Sequence, residues 1–368
     1  MTLRGIGRNR RRTAFTMLGV VLALTLILVS WGMIDTTQIL TSRQFDDIQR
    51  QDAQLYTNGP VSPTLTRQVE QTPGVVAVEP ELQVPVTVSG PTGRYQTALV
   101  GLRQNTRMHA FIEPGGGRTT LSSTGVIAGQ SLGGQIGAKR GGSVRIAASR
   151  GDAAFVAPVN AFVSEPLGTY VYASLDSLRA IAGADTAAGN SLLVRYRSGA
   201  NRRQLQDRLS ALSGVAAFED SKTLQTSLNK YLGLFYAFVG IMLVFGSAMA
   251  FALMFNAMSS NIAERSTEVA TLRAAGLDRR TLSRMITAEN FLVTLAGIGP
   301  GLVVGYVVAS YFMGSFSNDQ FSFDLRMRGS TLVLSALAIL LVSLLSQWPG
   351  LRAIARLDIA RVVRERSL

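Results

Sequence analysis

The 368-residue chain is 47% hydrophobic, with a mean hydropathy of +0.24 and a formal net charge of +13, more apolar than an ordinary soluble domain. It has no cysteine and a single histidine, His109, so thiol catalysis, cysteine-ligated metal and disulfides are excluded, and a histidine metal site or a serine triad lacks its parts. No GxxxxGK[ST] phosphate loop occurs in it.

Residues 1–13 are short, basic and weakly amphipathic through Leu3 and Ile6, the pattern of a segment lying on an anionic lipid surface. Residues 14–34 form the first apolar block, long enough to cross a bilayer core. No small-x-small cleavage site follows, so an uncleaved span is expected rather than a signal peptide. Residues 35–56 keep apolar side chains at helical spacing (Ile39, Leu40, Phe45, Ile48, Leu55) without Pro or Gly, which predicts a stalk helix leaving the membrane.

From Gly59 the pattern becomes mixed α and β. A short helix is predicted at 63–71, and strands at 82–88 and 95–102 flank SGPTG, a hairpin signal. Residues 109–118, containing EPGGG, read as a loop. Strands follow at 125–128, 143–147 and 153–163. A strand and helix cover 170–182, and strand, helix and strand fall at 191–196, 201–212 and 215–219. Two small α/β lobes fit this order, one inserted at about 105–189. The run Ser131-Leu132-Gly133-Gly134-Gln135 faintly resembles an ABC ATPase signature, but its surroundings read as strand, short helix and glycine turn.

From Ser221, read as an N-cap, a helical pattern runs without proline towards Ala263, through the second apolar block at 231–258. A charged loop at 259–285 separates it from the third block, 286–313. That block carries Gly297, Gly301 and Gly305 at four-residue spacing, a smooth strip for close helix packing, with Pro300 as an expected kink. Glu289 is expected to pair with Arg280 or Arg284 at the interface. After the loop 314–330 comes the fourth block, 331–348, where Trp348-Pro349 is expected to stop the helix. The tail 349–368 is again basic and amphipathic.

Charge sets the expected topology. Residues 1–13, 259–285 and 349–368 together hold 15 basic and 5 acidic residues, whereas 35–230 holds 19 and 15. Four spans put the three basic segments on one side, which the positive-inside rule makes the cytoplasm. Membrane topology thereby accounts for a charge that could otherwise suggest nucleic acid, and no nucleic-acid partner is expected. The fold class predicted is an α-helical membrane protein with four transmembrane helices and an α/β extracytoplasmic domain between the first and second.

One span, a large outer domain, three clustered spans and the segment IAERSTEVATLRAAGLDRRTLSRMITAEN together resemble the FtsX-like permease domain of MacB-type (type VII) ABC transporters. The likeness is strongest over 228–364, through Glu268, Thr271-Leu272-Arg273-Ala274, Gly276, Glu289 and the glycines of the third span. The outer stretch also looks like the family's MacB-like periplasmic domain. The resemblance implies a non-catalytic permease subunit in the bacterial inner membrane, both termini cytoplasmic. It implies no directly bound cofactor, with ATP acting through a separate partner ATPase present in two copies. It also implies dimerisation with a second permease subunit, alike or different, contact with membrane lipids, and a possible adaptor or lipoprotein partner. Carried over residue by residue, ATPase coupling would fall to Glu264, Arg265, Glu268, Leu272, Arg273 and Gly276. The residues agree with this, because Ile262, Val269 and Leu272 share one helical face, Gly276 suits a C′ position and Asp278 can cap the next helix. The resemblance implies mechanotransmission that exports or extracts a lipid-linked, peptide or amphipathic substrate. The alternative is a non-transporting signalling module that activates an extracytoplasmic partner such as a cell-wall hydrolase.

Overall fold

The computed structural model describes residues 10–149, 154–182, 189–264, 271, 276–316 and 324–355. The chain divides into two compact units, residues 1–37 with 233–315 and 324–368, and residues 38–232 with 316–323.

The first unit is helical. It contains most of α1 (Arg10–Ser42), α6 (Ser221–Glu264) from Gly233 onward, α7 (Arg279–Gly314) and α8 (Gly329–Ala355). Four helices among the described residues are long and apolar enough to cross a membrane, and the chain is a multi-pass membrane protein. Val20, Ala23, Leu24 and Ile27 of α1 form a buried core with Ala250, Met254 and Ile339. Large apolar side chains such as Phe238, Val244, Tyr311 and Leu341 stay exposed, as lipid-facing surfaces require.

Three expectations for these helices are corrected. The helix does not stop at Trp348-Pro349, because α8 continues to Ala355. A single proline removes one ladder hydrogen bond, a loss that membrane helices tolerate. The N-cap of α6 is Asp220 rather than Ser221: Asp220 Oδ1 accepts from the Thr223 amide at 2.8 Å, while Ser221 Oγ donates to the Gln51 carbonyl. The expected stalk helix over 35–56 ends early. Here α1 closes at Ser42, a π-helical turn covers Arg43–Ile48, and Ala53–Thr57 is strand β1. The AQLYT stretch fits either period, and pairing with two other strands decides it.

The second unit has two lobes on one nine-stranded sheet. In the first lobe β1, α2 (Pro63–Glu70) and the start of β2 (Val75–Ser89) are followed, after a long insertion, by β10 (Ser191–Tyr196), α5 (Arg202–Ser210) and β11 (Val215–Asp220). The strand order β11-β1-β10-β2, all antiparallel, makes a split βαβ arrangement. Its two halves use the same devices. Ser62 and Asn201 cap the helices through the Leu65 and Gln204 amides, and Gly74 and Gly214, at φ 104° and 97°, turn the chain into the next strand. Leu55, Leu65, Val69, Leu192, Val194, Leu205 and Leu209 are buried between sheet and helices.

The second lobe is a closed barrel. Residues 82–89 of β2 pair with β3 (Arg94–Leu102), β3 with β9 (Val171–Ser174), β9 with β6 (Val126–Gly129), β6 with β8 (Ala154–Val163) and β8 with β7 (Ser143–Ala148). Strand β7 returns to β2 at Val86–Ser89, closing the ring. The lobe placed by sequence at about 105–189 thus draws also on β2 and β3. Pro80 sits where β2 is an edge strand, and Pro85 immediately precedes the start of pairing with β7, so neither missing N–H interrupts a ladder. Helix α3 (Gln130–Ile136) contains the SLGGQ run. A β-carbon at Gly133 would lie 2.9 Å from Cζ of Phe162, so close packing explains this glycine. The remaining elements are the small hairpin β4 (Phe111–Ile112) and β5 (Arg118–Thr119), and α4 (Leu175–Ala182).

Candidate functional site

Of the coupling residues, Arg265, Glu268, Leu272 and Arg273 lie outside the described residues. Glu264 is the last residue of α6, and Gly276 sits in the turn before α7 at φ 93°, a conformation that a β-carbon opposes. Asp278 occupies the N-cap position of α7 and its carbonyl accepts from the Leu282 amide at 3.2 Å, but its side chain makes no capping bond. Glu289 is buried.

The three glycines of the third span face α1. A β-carbon would lie 3.0 Å from Val20 Cγ1 at Gly297, 2.7 Å from Leu24 Cδ1 at Gly301 and 2.6 Å from Leu28 Cδ1 at Gly305. Val20, Leu24 and Leu28 repeat every four residues too, so two helical faces meet in register. Backbone also approaches: Thr25 Cα would be 3.2 Å from the added carbon at Gly305. Gly299, between them, faces open space.

Two polar arrangements in the helical unit were not anticipated. Asp35 is 3% exposed; its Oδ2 accepts from the Arg328 amide at 3.0 Å and from the Thr331 hydroxyl, and the Arg328 guanidinium lies 3.5 Å from Oδ1. A carboxylate from α1 thereby serves the N-terminus of α8, where the helix dipole favours negative charge. Between α7 and α8, Thr294 and Ser343 share a hydrogen bond of 2.9 Å beside buried Gln347. The i, i+4 spacing of Ser343 and Gln347 in an apolar run was the available signal.

In the outer unit the chain entering from α1 is tied down by backbone. Ile48 and Arg50 exchange hydrogen bonds with Ala110 and Met108 across a bridge between Gln49 and His109. His109 Nε2 hydrogen-bonds Glu165 Oε1 at 3.1 Å, and Tyr172 donates to Glu165 Oε2 at 2.6 Å. Phe111 and Tyr172 flank the imidazole with ring centroids near 5 Å (4.9 and 5.0 Å). Burial first, then the Glu165 charge, raises the Tyr172 hydroxyl far above its usual pKa and keeps it a neutral donor. Glu81 receives hydrogen bonds from Gln54 and from Ser191 Oγ, and its burial raises its pKa. Among the described residues no cluster of three or more His, Asp or Glu is placed to hold a metal ion.

The root of α6 is locked by a charged network. Arg202 bridges Asp52 and, at 2.9 Å, Asp220 Oδ2. Asp52 Oδ2 also accepts from the Tyr196 amide at 2.8 Å, and the guanidinium lies 5.4 Å from the Tyr196 ring centroid. One arginine thus joins β10, β11, α5 and the first turn of α6.

Comparison with known proteins bears on the whole chain. Residues 13–212 match the MacB-like periplasmic core domain and residues 240–359 match the FtsX-like permease C-terminal domain. None of the curated proteins compared with the chain matches it. Similar solved structures include the periplasmic region of MacB from Actinobacillus actinomycetemcomitans, 13% identical with a TM-score of 0.36, covering 51% of this chain and 95% of that one. Another is the extracellular domain of the noncanonic ABC-type transporter YknZ from Gram-positive bacteria, 13% identical with a TM-score of 0.33, covering 46% of this chain and 97% of that one. The two domain matches together take in nearly all of the chain, and it belongs to the FtsX-like, MacB-type family of non-catalytic ABC-transporter permeases.

Proposed function

We propose that this chain is the membrane subunit of a mechanotransmitting ABC system in a bacterial cytoplasmic membrane. Both termini and the loop 259–285 lie in the cytoplasm. An ABC ATPase, two copies per dimer of permease subunits, docks on that loop through Glu264, Arg265, Glu268, Leu272, Arg273 and Gly276, so that ATP acts through the partner. The observation that carries the reading is the unbroken helix α6. Its first turn is bonded to Gln51 and Asp52, just ahead of β1, and to Asp220 at the end of β11; it passes Gly233 without a break and ends at Glu264 in the proposed docking loop. Its 44 residues at 1.5 Å each give about 66 Å, roughly twice a bilayer's hydrocarbon core. A helix without a hinge passes displacement at one end to the other. Closure of the ATPase dimer would move the outer lobes against an amphipathic, lipid-linked or peptide substrate already on the outer side, with an adaptor or lipoprotein as a further partner.

Two experiments test this. In proteoliposomes containing the ATPase, Leu272→Asp or Arg273→Glu is expected to reduce stimulated hydrolysis to the basal rate while circular dichroism stays unchanged. Stimulation at the wild-type level in both variants removes the docking assignment. For topology, a membrane-impermeant maleimide is expected to label Ser122→Cys from outside and Ser266→Cys only from inside; labelling of both from one side overturns the scheme.

A further inference from the structure

Where the chain passes from the π-helical turn to β1 it borders a cavity of about 300 Å³, the lower end of the range of small-ligand pockets. Three separate stretches wall it: Arg50, residues 104–106 with 109–111, and residues 118–120 at β5. Backbone bonds hold them together. The Arg50 amide donates to the Met108 carbonyl at 2.8 Å and the Ala110 amide to the Ile48 carbonyl at 2.9 Å. The Glu113 amide closes the β4–β5 hairpin on the Gly117 carbonyl at 2.7 Å, and the Ser164 amide, just past β8, donates to the Ile112 carbonyl at 2.9 Å. Phe111, 3% exposed, packs against the His109 ring and backs the cavity with a fixed wall.

The formal charge in this cavity has one sign. Arg50 and Arg118 line it, and among the described residues no carboxylate does. Arg50 Nε donates to the Asp47 carbonyl at 3.2 Å, which steadies the guanidinium and leaves its two terminal nitrogens without a partner among the described residues. The Arg118 side chain has no hydrogen bond or ion pair among them either. Glu113 of the same hairpin lies 3.7 Å from Arg140, and Glu165 is taken up by His109 and Tyr172, so neither answers these two charges. Like charges in one concave site raise its potential and concentrate anions there. Neutral donors stand around them, the carboxamide of Asn105 and the hydroxyls of Thr106 and Thr119. Thr106 Oγ1 already accepts from the Met108 amide at 3.1 Å, so its O–H is left to donate.

We propose that this cavity binds the phosphate group of a small phosphoester, held by Arg50 and Arg118, with Asn105, Thr106 and Thr119 serving its remaining oxygens. A planar guanidinium matches two oxygens of a phosphate, and phosphate has oxygens enough for both arginines. A carboxylate has two oxygens and satisfies one such fork. An acyl chain finds little surface, because among the described residues the lining offers only Ala110 and Phe111 as apolar side chains. The phosphate can belong to a soluble molecule or to a lipid headgroup, and the same groups receive it in either case. This site is separate from the coupling loop and does not rest on the transport reading.

The test uses the full chain in nanodiscs of zwitterionic lipid, titrated with glycerol 3-phosphate by isothermal calorimetry. Saturable binding is expected, and Arg50→Gln and Arg118→Gln should each weaken it about tenfold or more, the worth of one charge-assisted hydrogen bond. Arg118 is exposed and unpaired among the described residues, so its variant is expected to fold; Arg67→Gln, at an exposed arginine of α2, should change nothing. Hydrogen exchange by mass spectrometry places the site. Glycerol 3-phosphate should slow exchange in peptides covering residues 104–111 and 118–120 of the wild type and not of Arg118→Gln. Glycerate, the matching carboxylate, should bind about tenfold more weakly, and equal affinity overturns the choice of phosphate. Affinity unchanged in both arginine variants, or no slowing in those peptides, overturns the site itself. Nanodiscs doped with phosphatidic acid separate the two sources, and either result supports the site. Slowed exchange in the same peptides without added ligand, absent from Arg118→Gln, assigns it to a lipid headgroup; slowing by glycerol 3-phosphate alone assigns it to a soluble phosphoester.

Discussion

Asp220 is the residue on which the rigidity of the α6 root turns, and its removal can be worked through. The side chain is 6% exposed; Oδ1 caps α6 through the Thr223 amide, and Oδ2 receives Arg202 Nη1 at 2.9 Å. Loss of a good N-cap costs about 1 kcal/mol. The charge-assisted bond adds about 1.5 kcal/mol, the lower end of its range, because the Arg202 side chain is 36% exposed and partly screened. Asp220→Ala should therefore lower the opening free energy of the first turn of α6 by about 2.5 kcal/mol, or about 60-fold in an opening constant. Asp220→Asn keeps a capping oxygen and loses only the charge, so about tenfold is expected. Hydrogen exchange by mass spectrometry on the full chain in nanodiscs reads this in peptides covering residues 221–226. Partner ATPase stimulation should fall in the same order, because a frayed root absorbs displacement. Equal protection in the alanine and asparagine variants, or protection unchanged in both, refutes the network as the anchor of the helix.

The glycine strip predicts a position-dependent cost. Gly305→Ala places a carbon 3.2 Å from backbone Cα of Thr25, and should lower stability by about 1–3 kcal/mol in thermal unfolding in micelles, whereas Gly299→Ala meets open space and should be neutral or slightly stabilising. Equal effects at the two positions would remove the packing argument. Glu81 predicts a pH dependence. Its folded pKa is raised above the ordinary glutamate range by burial, so the folded state binds the proton more tightly than the unfolded chain, and stability falls as pH rises from that ordinary range through the folded pKa. Glu81→Gln should raise the unfolding temperature at pH 7.5 and flatten its decline from pH 4.5; a variant less stable than wild type at pH 7.5 contradicts this sign.

Local signals carried much of this molecule. Hydropathy alone marks the four membrane-crossing helices, since about 20 apolar residues in a row have few other uses. The SGPTG turn sets the β2–β3 hairpin, closed by the Gly90 amide donating to the Gly93 carbonyl at 2.9 Å, and Asn201 starts α5 by serving its own backbone. The spacing of Gly297, Gly301 and Gly305 marks a close-packing face, whereas the coupling loop is read only from the resemblance of IAERSTEVATLRAAGLDRRTLSRMITAEN to a family pattern, and most of it lies outside the described residues. What faces that strip was not legible: Val20, Leu24 and Leu28 look like any apolar helix until packing picks one side. Nor could sequence show that 15-residue β2 serves two lobes, because its partners β10, β3 and β7 are chosen by long-range pairing. His109 and Glu165 stand 56 residues apart, and barrel closure brings them together. The same holds for Gln44, which reads as one polar residue of a stalk. Its burial without a partner exists only because a π-helical turn, a barrel strand and the root of α6 converge on it. Periodicity and hydropathy act within a few residues and so belong to the sequence; closure, register and burial depend on surfaces distant in the chain, and the tertiary structure alone supplies them.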